Sequence, residues 1–253
     1  MNDDRLDNIE TRWSLVRQAH VSGASASAAQ ANAVLVMRYA SAIRRYVGGI
    51  LQKHDDTEDI AQDVMVRLLK GDFANADPNR GRFRDLLKAA VRNMIRNHWA
   101  KQNRRQSSHV DFDRLADDRE NETDAAWTTA WQTNVLDHAW SALKEVERAK
   151  PNNPAHTLLK WRAEFPDESS EQLAERLSAK LGTLVNPASA RQMLRRARLR
   201  FAEFVVNEIT LGLDDATPAR IKEELAALGL LEYVRDFLPD DWESTGKLCE
   251  PKT

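Results

Sequence analysis

The chain has 253 residues, 42% hydrophobic and 30% charged, with 37 Lys and Arg against 39 Asp and Glu for a formal net charge of −2. No apolar run approaches the roughly 20 residues that a membrane-spanning helix needs. The single cysteine, Cys249, excludes an internal disulfide framework, and the near-neutral total leaves overall charge silent about nucleic acid.

Ala, Leu, Arg and Glu are abundant and β-branched runs are scarce, which favours helices. The polar start MNDDRLDNIETRW does not read as a secretory signal, and a reducing, cytoplasmic setting is expected. Residues 1–10 read as a loose tail and Thr11 to His20 as a short helix, while Ser22 to Ala31 is ambiguous between loop and helix. From Ala33 to Lys53, Val36, Tyr39, Ala40, Ile43, Val47, Ile50 and Leu51 recur at helical spacing. The next helix is expected from about Asp56, with acids in its first turn, to about Gly71. A loop with Pro78 and two glycines covers Gly71 to Gly81, and a basic helix runs from about Phe83 to Gln102.

Residues 104–125 lack apolar periodicity and read as a flexible acidic linker. Helical pattern resumes at Trp127 to Ala149 and stops at Pro151 and Pro154. Short helices follow at about 155–164, 170–181 and 187–209. A last one is expected at 218–237, capped by Thr217 with Pro218 at its first position. The expected fold is all-α, with two small helical domains and no internal repeat. The expected organisation is an N-terminal segment at 1–32, a first domain at 33–105, an acidic linker at 106–126, a second domain at 127–209 and a C-terminal helical extension at 210–253.

Charge is distributed unevenly. Arg80 to Arg105 holds nine Lys and Arg against one acid, Asp85, whereas Asp111 to Asp124 holds seven acids against Arg114 and Arg119. In the acidic helix, Ile60, Val64 and Leu68 form one stripe, and Asp59, Gln62, Asp63 and Val66 lie toward the other side. That polar side is either a solvated face or a protein-docking face. In the basic helix, Leu87, Val91, Met94 and Ile95 can face a core, while Arg84, Lys88, Arg92 and Arg96 recur every four residues as a cationic ridge suited to phosphates. Asn93, Asn97, His98, Trp99 and Gln102 add hydrogen-bonding and stacking groups, the physics of single-strand binding. The loop DPNRGR can accept a base turned out of its stack. The alternative is a basic surface helix with Trp99 in the core.

Farther along, Ser169 and Gln172 fit a capping box and Gly182 a helix stop. Asn186 then caps the helix PASARQMLRRARLRFAEFV, with Ala190, Leu194, Ala197 and Phe201 inward and Arg191, Arg195 and Arg198 outward beside Gln192 and Arg196. Two short helices with the second basic fit a helix-turn-helix, or a basic surface helix in a bundle. No active site is expected. The six histidines are scattered, no phosphate-cradling glycine loop is present, and the acids at 55–63 spread around a helix start instead of converging on a metal. Neither a catalytic residue, a metal nor a cofactor is implied.

Taken in order, D-x-x-E-D-I-x-Q-D-V-M-x-R-L at 55–68, the loop with its basic helix, and L-A-E-R-L followed by S-A-R-Q-M-L-R-R-A-R-x-R-F at 173–201 resemble a bacterial RNA polymerase sigma factor. The resemblance is to the extracytoplasmic-function (ECF) class of the sigma-70 family, which keeps regions 2 and 4, and it spans about 33–105 and 127–209. It implies that Asp59, Gln62, Asp63 and Arg67 dock on the clamp helices of the polymerase β′ subunit. It implies that Asn75, Asp77, Asn79, Arg80 and Arg82 capture a flipped base of the promoter −10 element. Arg84, Lys88, Arg92, Asn93, Arg96, Asn97 and Trp99 would hold and melt that element. Ser189, Arg191, Gln192, Arg195, Arg196 and Arg198 would read the −35 element, and 111–124 would thread the polymerase cleft. The implied partners are core RNA polymerase, through the β′ clamp helices and the β flap, and promoter DNA, with no membrane. A separate anti-sigma factor or other regulator is left open.

The sequence departs from the family's pattern in a lengthened turn, KLGTLVNPAS, in Ser189-Ala190-Arg191 where Thr-Val-Lys is typical, and in residues 210–253, which bind a regulator or cover region 4. Other functions also fit helical DNA-binding parts. An autonomous helix-turn-helix regulator would bind duplex DNA without polymerase. A helical interaction protein would bind no DNA and leave the arginine stripes unexplained.

Overall fold

The computed structural model describes residues 26–51, 54–70, 82–106, 120–213 and 216–237. The expected helix at 11–20, the loop residues Asn75, Asp77, Asn79 and Arg80, most of the acidic linker and Cys249 lie outside the described residues. Among the described residues there are nine α-helices, one 3-10 turn and no strand, which is the expected all-α class.

The helices are α1 (Ala26–Leu51), α2 (His54–Lys70), α3 (Phe83–Gln106), α4 (Glu120–Ala149), α5 (Ala155–Glu164), α6 (Ser170–Leu181), α7 (Pro187–Thr210), α8 (Pro218–Ala227) and α9 (Leu231–Val234), followed by the 3-10 turn Arg235–Phe237. The described residues fall into two compact units. One reaches Asn134 and includes 210–216; the other holds 135–209 and the residues from 217 onward.

In the first unit, α1 turns Leu35, Tyr39, Ile43, Tyr46 and Val47 inward, all fully buried. Against them α2 sets Ile60, Val64 and Leu68, and α3 sets Phe83, Leu87, Val91 and Ile95. Gly48 of α1 faces Thr57 of α2, where a Cβ would make an ordinary 3.5 Å contact with the Thr57 methyl. An Arg44–Glu58 ion pair of 3.1 Å bridges the same two helices at the surface.

The first half of α4 completes this core, which differs from the expected organisation. The helix begins at Glu120 instead of Trp127, so 120–126 is helical rather than linker. Trp131 stacks on Tyr39 with centroids 5.5 Å apart and an interplanar angle of 14°, and Trp127 meets the edge of Tyr46 at 4.9 Å. Ser41 donates a 2.7 Å hydrogen bond to Oδ1 of the fully buried Asn134. The physical reason is that acids at a helix start are stabilised by the helix dipole. An acidic run that looks like tether composition therefore also serves as a helix N-terminus, anchored by tryptophans four residues apart.

In the second unit, Leu143 of α4, Leu158 and Leu159 of α5, Leu173 and Leu177 of α6, and Ala190 and Leu194 of α7 share one core. Glu147 ties α4 to α5, accepting hydrogen bonds from the Thr157 amide at 2.8 Å and the Thr157 hydroxyl at 2.6 Å. Lys180 of α6 reaches the same carboxylate at 3.2 Å.

The helix expected at 218–237 is broken. Gly229 adopts φ 65°, and Leu230 N–H donates to Leu225 C=O at 2.8 Å while Gly229 N–H donates to Ala226 C=O at 2.9 Å. This is a Schellman-type stop, which a glycine reaches without the steric cost of a Cβ. Thr217 caps α8 as expected, its hydroxyl accepting from Arg220 N–H at 3.4 Å.

Candidate nucleic-acid interface

The acidic helix α2 presents Asp59, Gln62, Asp63 and Arg67 to solvent. Their spacing of i, i+3, i+4 and i+8 makes one continuous stripe opposite Ile60, Val64 and Leu68. Two carboxylates, an amide and a guanidinium thus share one exposed stripe.

The basic helix α3 is arranged differently from its expected ridge. Arg84 is only 9% exposed, with Nε 3.8 Å from Asp85 Oδ1. Lys88 and Arg92 are mostly buried side chains that share one carboxylate oxygen of Asp124, at 2.5 Å and 3.7 Å. Of the four ridge cations, Arg96 alone is exposed. Helix geometry explains this correction. At 3.6 residues per turn a four-residue step overshoots by about 40°, so the ladder rotates by about 120° over three steps. Its early members turn toward the core and α4, and its last turns to water.

The exposed face of α3 is instead carried by Ala89, Asn93, Arg96, Asn97, Ala100 and Lys101. It has amides and cations for a sugar-phosphate strand and two alanines that permit close approach. Lys101 is not among the expected site residues, although its position four residues after Asn97 is the signal that marks it. Arg82, just before α3, is half-buried, as are His98 and Trp99. His98 Nε2 lies 3.5 Å from Asp56 Oδ2 of α2.

In the second unit, α6 and α7 form a helix-turn-helix whose local chemistry follows the sequence. The Ser169 hydroxyl accepts from Gln172 N–H at 3.3 Å, and the Gln172 side chain accepts from Ser169 N–H at 2.9 Å. Gly182 ends α6 at φ 67°. Ser178 braces the lengthened turn, since its hydroxyl accepts from Val185 N–H at 2.8 Å and donates to Ala174 C=O at 2.7 Å. The Asn186 side chain accepts from Ser189 N–H at 2.8 Å and starts α7. Burial pushes Glu147's carboxyl up, but hydrogen bonds from Thr157 and the Lys180 charge outweigh it, leaving the group below the usual range.

Along α7, Arg191, Gln192, Arg195 and Arg196 are exposed beside the half-buried Ser189 and opposite the buried Ala190, Leu194 and Ala197. Arg198 departs from this face. Its guanidinium lies 5.8 Å from the Phe237 ring centroid, within cation–π range, and burial together with the Arg162 charge pushes its pKa below the ordinary value. The structure thus brings five of the six expected residues onto one side and tucks the sixth under the C-terminal extension.

Among the described residues no three His, Cys, Asp or Glu side chains gather as a metal set, and no helix is long and apolar enough to cross a membrane. Residues 35–105 match the family Sigma-70 region 2. Region 2 is involved in core RNA polymerase binding and in melting the promoter −10 element, and the family is non-enzymatic. The matched stretch is 71 of the 253 residues, so the likeness is to that domain. No curated protein and no solved structure gives a significant match to the chain.

Proposed function

We propose that this chain is an ECF-class sigma factor that directs core RNA polymerase to specific promoters and helps to open their −10 region in the cytoplasm. The observation that carries the reading is the region 2 match over 35–105. The helix-turn-helix of α6 and α7 follows it, at the place in the chain where a region 4 belongs.

In this reading Asp59, Gln62, Asp63 and Arg67 dock on the β′ clamp helices, where paired charges fix the orientation of the complex. Asn75, Asp77, Asn79, Arg80 and Arg82 hold a flipped −10 base. Unpairing costs a few kcal/mol, which the pocket must offset through stacking and hydrogen bonds. Asn93, Arg96 and Asn97, joined by Lys101 and Trp99, hold the separated strand, with Arg84, Lys88 and Arg92 nearer the core. Ser189, Arg191, Gln192, Arg195 and Arg196 enter the −35 major groove. There an arginine pairs with guanine and a glutamine with adenine, at about 1–3 kcal/mol of discrimination for each good bidentate pair. Region 4 also meets the β flap, and Arg198 supports the recognition helix from its packed side. The extension after residue 209 serves as a cover for region 4, a role supported by Phe237 lying over Arg198.

Affinity of the purified chain for bacterial core polymerase tests this reading. Saturable binding that competes with a housekeeping sigma factor supports it. A folded chain that leaves core polymerase unbound yet grips duplex DNA would instead mark an autonomous regulator.

A further inference from the structure

Lys88 and Arg92 sit one turn apart on α3 and would ordinarily offer two cations to one phosphate. In the free chain they already hold an anion, since Asp124 Oδ1 lies 2.5 Å from Lys88 Nζ and 3.7 Å from an Arg92 guanidinium nitrogen. The Asp124 side chain is 46% exposed while Lys88 and Arg92 are 20% and 23% exposed. The oxygen that the two cations share is itself shut away from water, so a strand reaches Lys88 and Arg92 only where the carboxylate leaves.

We propose that Asp124 stands in for a DNA phosphate on Lys88 and Arg92, so that the free chain keeps part of its −10 surface closed until a nucleic-acid strand displaces the first turn of α4. This rests on the sigma-factor reading above. The chemistry matches. A carboxylate and a phosphodiester are both anions with two acceptor oxygens, and Lys and Arg bind either.

The mechanics match as well. Asp124 is the fifth residue of α4, and the first four amides of a helix have no intrahelical partner. Releasing that turn costs the bonds that its carbonyls accept from the next turn, including the 3.0 Å bond from the Thr128 hydroxyl to Asp124 C=O. From Trp127, 2% exposed, the helix is anchored in the core. The movement needed is confined to the few residues between the latch and that anchor. Such a latch favours DNA only when polymerase presents it at high local concentration, and it suppresses binding to bulk DNA.

The test uses the full chain and its Asp124→Asn variant with a random-sequence single-stranded 20-mer, read by fluorescence anisotropy across a salt series, free and on core polymerase. Asp124→Asn is expected to bind about fivefold more tightly, equivalent to about 1 kcal/mol at 1.4 kcal/mol per tenfold. The slope of log K against log salt should steepen by about 0.7 for each further phosphate neutralised. Adding Lys88→Ala and Arg92→Ala should remove the tighter binding, which a merely structural effect of Asp124 would not explain. Should Asp124→Asn melt early, Asp124→Ser must show the same tightening.

Equal affinity and slope in wild type and variant, with polymerase binding intact, overturn the latch and leave the sigma reading standing. Absence of DNA binding in both proteins, free and on polymerase, overturns the sigma reading and the latch with it.

Discussion

Replacing Trp131 with Ala probes the least expected part of the fold, the use of α4 to complete the first unit. Trp131 is 2% exposed and stacks on Tyr39, itself fully buried, at 5.5 Å. It also touches Trp127 at 5.5 Å. A buried tryptophan removes about 200 Å² from water, or about 5 kcal/mol at 25 cal/mol/Å². Alanine keeps a little of that, and measured Trp-to-Ala losses of about 3–5 kcal/mol already include the cavity left behind. A loss of about 4 kcal/mol corresponds to nearly a thousandfold in the opening equilibrium, at 1.4 kcal/mol per tenfold.

The assay is amide hydrogen exchange resolved along the chain, since a chain with two units does not unfold as one two-state system. Core amides of α1 and α3 should exchange about a thousandfold faster in Trp131→Ala, while those of α6 and α7 keep their rates. Exchange in α1 and α3 changed by less than threefold would show that α4 contributes nothing to that core and would refute the packing described.

Three further outcomes are expected. Asp59→Ala with Asp63→Ala should weaken core polymerase binding by at least tenfold without altering the melting temperature, because both side chains are exposed; unchanged affinity in a competition assay would remove the docking role. Arg191→Ala with Arg195→Ala should lower discrimination for the upstream promoter element by about 1–3 kcal/mol per bidentate pair removed, read by footprinting of the holoenzyme, while polymerase binding persists; loss of both together would point to a structural effect. Because Glu147's folded pKa lies below its ordinary 4.5, the unfolded state binds the proton more readily. Its stabilising contribution is present above that value and disappears as pH falls through the lower folded value. Glu147→Gln should therefore flatten the acid limb of stability below about pH 4.5, and an unaltered limb would deny the carboxylate that part.

Much of the second unit is legible in the sequence because its signals are local. Ser169, Gln172, Gly182, Asn186 and Thr217 each act within four residues of themselves, and their expected cap roles are what the structure contains. The inner stripes of α2 and α3 are legible for the same reason, from periodicity alone. What escapes depends on partners distant in sequence. Composition at 104–125 resembles a tether, and the Tyr39 and Tyr46 rings that hold Trp131 and Trp127 lie far upstream in sequence.

Four-residue spacing suggests a straight cationic ridge, yet an i+4 ladder winds, so Lys88 and Arg92 meet Asp124 while Arg96 faces water. Arg198 reads as an outward arginine until Phe237 is placed over it. Gly229 carries the signal of a helix stop, but the apolar residues around it continue the helical period closely enough to hide the break.

The most direct test of the central claim is transcription by core RNA polymerase from a pool of genomic fragments, with and without the purified chain, reading the 5′ ends of the products. New, discrete start sites that require the chain and share two spaced upstream elements are expected. Identical products with and without it, from a chain shown to be folded, would contradict the sigma-factor reading.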